Sequence, residues 1–375
     1  MNVAYFIVHA VFWSFGFLFL FRIPHAVRNR NRVLGPYPRV SVIIPARNEE
    51  NSLPVLLASL RNQDLVPHEV IVVVGQSEDR TRQVAGAAGV TVIDSEPLPD
   101  GWIGKPWACH QGARLAKGDV LVFLDADTCL EKGGLRNIVD TYLEGDGVLS
   151  VQPYHRTGRF YEQLSAFFNI IMLAAMGAFT VMGRRIKPIG VFGPCVVVGK
   201  ESYLASGGHT TVKGEVVEDL VLGERFKEHE LPIHCYGGKG TISFRMYPNG
   251  IRELVDGWSK GFAIGAGKTC VPLLLAIIAW IGSGISATVW TIEAISSTHS
   301  VAIIAWPLAY LACVIQLQWM FVRVGTFRFY TALFFPVPLL FFIGVFFRSV
   351  ILVYVRRRVI WKGIAINLGG KAQES

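Results

Sequence analysis

LVFLDADTC, residues 121–129, passes through four apolar residues and closes on two acids, Asp125 and Asp127. In an extended chain residues i and i+2 share a face, which would set the two carboxylates side by side at about 6–7 Å. At an effective dielectric of about 20, like charges at that distance repel by about 2–3 kcal/mol. A cation has to offset this, and a divalent metal carrying a phosphate is the expected one. A solvated loop after a strand is the competing reading of a lone D-x-D, and the rest of the chain decides between them.

Upstream, short apolar runs alternate with helical patterns. VSVIIP (40–45) is β-rich and NEENSLPVLLASLRNQ has helical periodicity; HEVIVVV (68–74) and VTVID are further strands, separated by the helical SEDRTRQVAGAAG. PWACHQGARLAKG is helical and leads into DVLVFLD (119–125). Strands alternating with helices make βαβ units, hence an α/β fold with a mainly parallel sheet. Ligands of such sheets sit beyond the carboxyl ends of the strands. Asp125 and Asp127 lie at such an end, as does PARNEE (45–50), so the metal reading outranks the solvated loop. After Val148 the pattern becomes irregular.

The 375 residues are 51% hydrophobic and 17% charged, with mean hydropathy +0.41. The apolar excess gathers at the two ends. Val3 to Phe21 is an uncharged run long enough to span a bilayer, and Arg22, His25, Arg28, Arg30, Arg32 and Arg39 follow it. Positive charge after the apolar core, not before it, describes a signal anchor with its N-terminus outside rather than a cleaved leader. Further apolar stretches run over 271–292, 301–322 and 329–354; the last holds Pro336 and Pro338 and reads as a re-entrant or broken helix. The expected division is an anchor at 1–23, a basic linker at 24–38, a cytoplasmic domain at 39–260, membrane helices at 261–355 and a basic cytoplasmic tail at 356–375. YEQLSAFFNIIMLAAMGAFTVMG (161–183) reads as an amphipathic helix on the bilayer surface. The net charge of +8 fits basic clusters flanking membrane segments. Basic residues are not interleaved with aromatics in the soluble part, so no nucleic acid partner is expected. Six scattered cysteines with no C-x-x-C pair read as reduced thiols.

IIPARNEE, GKPWACHQGA, FLDADT and VEDLVLGERF resemble the motif series of family 2 glycosyltransferases with a GT-A fold. SVQPYH, RFYE, FGP, GGH, FRMY, GWSKG, GAG and a late WKG are similar to those of bacterial membrane enzymes that glycosylate an apocarotenoid acid, the 4,4'-diaponeurosporenoate glycosyltransferase type. The resemblance implies a GT-A (Rossmann-like) nucleotide-sugar-binding domain and inversion at the anomeric carbon. It implies a UDP-sugar donor carrying a hexose, with UDP-glucose foremost, a divalent metal (Mg2+ or Mn2+) and a lipid or carotenoid acceptor at the cell membrane. By position, Pro45, Ala46, Arg47 and Glu49 line the nucleotide site with Asp79 at its edge; Lys105 reaches the diphosphate. Asp125 and Asp127 hold ribose and metal, and Asp219 of the Glu218–Asp219 pair is the base. Gly257, Trp258 and Lys260 stand where processive members carry Q-x-x-R-W, whose absence argues against a polymerase. Val74 and Gly75 replace the acids with which members of the family read the nucleotide base.

The residues carry bland readings too. A lysine in a basic protein is usually solvated, and an acid at a helix start such as Asp219 is stabilised by the dipole in any case. Trp258 suits either a sugar face or a membrane interface, and His155 and His209 read as structural hydrogen-bonding residues. A glycosyltransferase acting on a hopanoid, diacylglycerol or sphingolipid, and a non-catalytic scaffold of the same fold, are the alternatives.

Overall fold

The structure, a computed structural model, describes residues 3–26, 37–183, 186–295, 300–361 and 364–367. Arg28, Arg30 and Arg32 of the basic linker, Lys362 and Gly363 of the WKG motif, and residues 368–375 of the tail lie outside the described residues. Among the described residues the chain divides into two compact units: one holds Pro24–His155 and Pro188–Met246, and the other lies within Met1–Ile23, Arg156–Lys187 and Tyr247–Leu368.

The first is an α/β unit. Its strands are β1 Val40–Ala46, β2 Glu69–Val74, β3 Thr91–Asp94, β4 Val120–Leu124, β5 Thr128–Leu130, β6 Val148–Gln152, β7 Tyr154–His155, β8 Cys195–Gly199, β9 Ile233–Gly237 and β10 Ile242–Phe244. Seven of them form one sheet in the order β3-β2-β1-β4-β8-β6-β9. The four strands read from the sequence run parallel, as crossover helices require. In the irregular region β8 enters antiparallel between β4 and β6, and β9 then pairs parallel with β6. A small second sheet, β5-β10-β7, follows the end of β4.

Side chains of the central strands alternate between two cores because successive residues point to opposite faces. Val42, Ile44, Val122 and Leu124 pack with Leu53, Leu56, Leu60, Leu135 and Ile138 on one face. Ile43, Leu121 and Phe123 pack on the other with Ala108 and Cys109 of the Gly104–Leu115 helix, and with Val221, Leu222 and Phe226 of the Glu218–Glu228 helix. Each large buried aliphatic side chain contributes about 1.5–3 kcal/mol. This second face matters most for function, since it sets the starts of two helices beside the end of β4.

The second unit is helical. Among its described residues three helices are long and apolar enough to cross a membrane: Val271–Ile295, Val301–Val324 and Pro336–Val355. The last region is broken, as its prolines implied: Phe329–Leu333 ends before Pro336 opens the next helix. The N-terminal apolar run is built as two helical pieces. Val3–Ser14 ends at a turn, and Gly16–Phe19 follows, so the apolar helix covers only 4–19, short of the roughly 20 residues a span needs. Gly16 allows close packing there, because a Cβ would meet Gln316 Oε1 and Trp280 Nε1 at 2.5 Å. The expected interfacial helix at 161–183 is also redrawn. It is a 3-10 turn, Phe160–Ser165, leading into Ala166–Met176, with Gly177 in the left-handed conformation ending it. Nine of its eleven residues are buried within the helical unit. A helix that is apolar on nearly every side belongs inside a bundle rather than on a surface.

Candidate active site

β4 ends at Leu124, and the chain turns at once. The Thr128 N–H and hydroxyl both donate to the Asp125 carbonyl, at 3.1 and 2.7 Å. Asp125 and Asp127 therefore lie in a turn between β4 and β5, and the same-face argument of an extended strand does not apply to them. Asp125 is fixed from its other side by its N–H, which donates to the Pro194 carbonyl at 3.0 Å.

A side-chain cation stands against Asp125. Lys105, in the first turn of the Gly104–Leu115 helix, sets its Nζ 2.9 Å from Asp125 Oδ1, 3.6 Å from Glu218 Oε1 and 3.9 Å from Asp219 Oδ1. Its side chain is 19% exposed. Burial works against its charge, but Asp125, Asp219 and Glu218 outweigh burial and hold the ammonium well above the ordinary lysine range. Glu218 and Asp219 open the Glu218–Glu228 helix, where the helix dipole favours carboxylates. Residues far apart in sequence thus meet because one sheet face carries both helices.

Lys105, Asp125 and Asp219 line a small cavity with Pro45, Cys109 and Gly193; Asp127 is not among its lining residues. Cys109 lies one turn beyond Lys105, and that i, i+4 spacing is the signal by which it could have been found. Gly193 belongs to the FGP motif, which gave no indication of its role. His209 also lines the cavity. Its Nδ1 meets the Tyr203 hydroxyl at 2.9 Å, and burial, with Lys105 and His110 nearby, pushes its pKa down to about 3. It is the structural histidine the sequence suggested.

Of the remaining predicted residues, Pro45 lines the cavity, and Ala46 ends β1, accepting the Gly75 N–H at 2.8 Å. The PARNEE and GQSED loops are tied to each other. Arg47 Nε donates to the Gln76 carbonyl at 3.2 Å, the Glu49 N–H to Thr81 Oγ1 at 2.8 Å, and the Glu50 N–H to Asp79 Oδ2 at 3.0 Å. Asn48, in the left-handed conformation, closes the turn by accepting the Glu78 N–H at 2.9 Å. Partial burial opposes the Asp79 charge, yet the Thr81 hydroxyl and the Glu50 and Thr81 N–H groups hold its carboxyl below the usual range. Asp79 acts as the knot between the two loops.

Gly257, Trp258 and Lys260 belong to the helical unit. Trp258 is 5% exposed, stacks on Phe168 with centroids 4.9 Å apart, and donates Nε1–H to Ser165 Oγ at 3.0 Å. Its ring faces are occupied by packing, which corrects the reading of an open sugar platform. Gly257 leaves room for the Tyr247 ring, which a Cβ would overlap, and Lys260 caps the Ile251–Ser259 helix.

Among the described residues no group of three His, Cys, Asp or Glu side chains forms a ready metal cage. Mg2+ and related hard cations are instead commonly held by one or two carboxylates together with substrate phosphates. Asp125, an oxygen donor on the cavity wall, fits that arrangement, with Asp127 two residues away.

The family model of glycosyl transferase family 2 matches residues 41–195. The chain is 35% identical over 328 residues to the 4,4'-diaponeurosporenoate glycosyltransferase of Staphylococcus aureus (strain USA300), covering 86% of this chain and 87% of that protein. The same protein from strain MRSA252 matches over equal lengths at 35% identity. Among solved structures, glucosyl-3-phosphoglycerate synthase from Mycobacterium tuberculosis is 20% identical, with TM-score 0.45, over 66% of this chain and 88% of that one. The chain belongs to glycosyl transferase family 2: it is a glycosyltransferase with an α/β unit of GT-A type, of the 4,4'-diaponeurosporenoate glycosyltransferase type.

Proposed function

We propose that this enzyme moves a hexose, glucose in the first instance, from a UDP-sugar to a lipid-soluble acceptor, with inversion. A carotenoid carboxylic acid of the diaponeurosporenoate kind is the acceptor this reading favours. The observation that carries it is the Lys105 ammonium held between Asp125 and the Glu218–Asp219 pair. Transfer from a sugar diphosphate needs a cation for the leaving group and a carboxylate to deprotonate or orient the acceptor, and this arrangement offers both.

In the reaction an acceptor oxygen bonds to the anomeric carbon as the bond from that carbon to the diphosphate breaks, and UDP departs. Lys105 turns from the carboxylates to the leaving diphosphate, where a fixed positive charge stabilises developing negative charge. Asp125 and Asp127 would hold a divalent metal, which supplies Lewis-acid stabilisation to that group when bound. Pro45, Ala46, Arg47 and Glu49 form the donor-side wall on the β1 end. Asp219 takes the proton of a hydroxyl acceptor; a carboxylic acid is already ionised at neutral pH, and there Asp219 orients it. The three long apolar helices support a multi-pass membrane protein, with the α/β unit in the cytoplasm where sugar nucleotides reside.

The test is transfer by purified enzyme from a panel of labelled sugar nucleotides to diaponeurosporenoate, a hopanoid, diacylglycerol and a sphingoid alcohol. Label in the carotenoid ester from UDP-glucose supports the reading. Transfer only to another lipid replaces the acceptor, and no transfer with any pair removes the function.

A further inference from the structure

We propose that Gly193 is a positioning residue for the transfer reaction: its bare Cα is the seat on which the Asp219 carboxylate rests. The inference builds on the role given to Asp219 above. A Cβ placed at residue 193 has as its three nearest atoms Oδ1, Oδ2 and Cγ of Asp219, all well inside van der Waals contact. No backbone atom stands among them. The φ angle of Gly193 lies outside the left-handed region, so alanine is admissible in backbone terms, and the atoms its side chain would meet first are those of the carboxylate.

The seat is itself held firmly. The segment 188–194 lies along the Glu218–Glu228 helix, clamped at one end by Lys227, whose Nζ donates to the Pro188 and Ile189 carbonyls at 3.0 and 3.2 Å. A Cβ on Gly190 would fall 2.5 Å from the Leu220 Cα, and one on Gly223 would fall 2.5 Å from the Gly190 Cα. Strap and helix therefore touch backbone to backbone. The Val191 N–H donates to the Asp219 carbonyl at 3.2 Å, and Pro194 accepts the Asp125 N–H at 3.0 Å. One short strap thus spans from Asp219 to Asp125, with Gly193 between these two anchor points. It fixes the spacing between the donor side and the acceptor side of the site. Because the strap cannot retreat from the helix, an alanine at 193 is accommodated by turning the Asp219 side chain away.

The test is a double-mutant cycle on the full-length protein, assayed with a hydroxyl acceptor, for which Asp219 serves as base, with donor KM, kcat and thermal midpoint measured for each variant. Gly193→Ala should keep its thermal midpoint and donor KM while kcat falls by about 10²-fold, the scale of an ångström-sized misplacement of a reacting group. In the Asp219→Asn background Gly193→Ala should produce little further loss. Losses that multiply across the cycle overturn the proposal, as does an unchanged kcat in Gly193→Ala. If Gly193→Ala lowers the thermal midpoint, adding Asp219→Ala should restore it by removing the clash; failure to restore it overturns the proposal. Full activity in Asp219→Asn alone would instead bring down the role of Asp219, and is read before Gly193 is touched.

Discussion

Two ionic sites, one in each unit, each set a cationic side chain against carboxylates, and they differ in proportion. In the helical unit Arg348 meets Asp256 one to one at 2.6 Å and donates also to Ser259 Oγ at 2.7 Å, clamping the Pro336–Val350 helix to the Ile251–Ser259 helix. In the α/β unit a single ammonium, Lys105, is shared by Asp125, Glu218 and Asp219. The first arrangement is complete as architecture. The second places more acids around one lysine than a clamp needs, on a cavity wall, at the strand ends where ligands of parallel sheets bind. The lesson is that the ratio of acids to bases, more than the presence of an ion pair, marks the Lys105 cluster as the candidate site and the Arg348 pair as a clamp.

The largest effect expected is at Asp219. With a hydroxyl acceptor Asp219→Asn should lower turnover by about 10²–10⁴, and with a carboxylate acceptor by far less. Initial rates with both acceptor types check this, and equal losses would break the division of roles. Next is Lys105→Met, expected to lower kcat by about 10²–10³ by removing a charge that acts on the leaving group. A variant that retains wild-type kcat would reduce the three-acid cluster to a clamp of the Arg348 kind.

A smaller effect concerns His209. Its folded pKa is pushed down to about 3, below the ordinary histidine value of 6.5, so between these values the unfolded chain binds the extra proton and stability falls as pH falls. By pH 5 the loss is on the order of 2 kcal/mol, and above about pH 7 it vanishes. Denaturant unfolding at pH 7 and pH 5 measures it, and His209→Gln should flatten the difference. Smallest of all is Asp256→Asn. The pair is partly exposed, and exposed pairs contribute under about 1 kcal/mol, so neither kcat nor stability should move much. A large catalytic loss there would erase the contrast between the two sites.

The parallel core was legible because β1, β2, β3 and β4 are short apolar runs separated by helical patterns, and their bounds match the structure within a residue or two. The antiparallel entry of β8 was not, since CVVVG is short, lies beyond a long irregular stretch, and carries nothing that states a direction. Lys105, Asp125, Glu218 and Asp219 could each be named from motifs, but their meeting around one ammonium depends on two helices sharing a sheet face. Trp258 shows the opposite case: a position inherited from a motif resemblance, whose ring the packing against Phe168 consumes. Gly193 was invisible in principle, because a glycine gives no chemical signal until its neighbour is known.

The most direct test of the central claim is thermal protection of the α/β unit by UDP in the presence of Mn2+, measured on wild type and on Asp125→Asn. The account predicts a clear rise in the unfolding temperature of the wild type, dependent on the metal, and little or none in the variant. Equal protection in both, or none in the wild type, would contradict it.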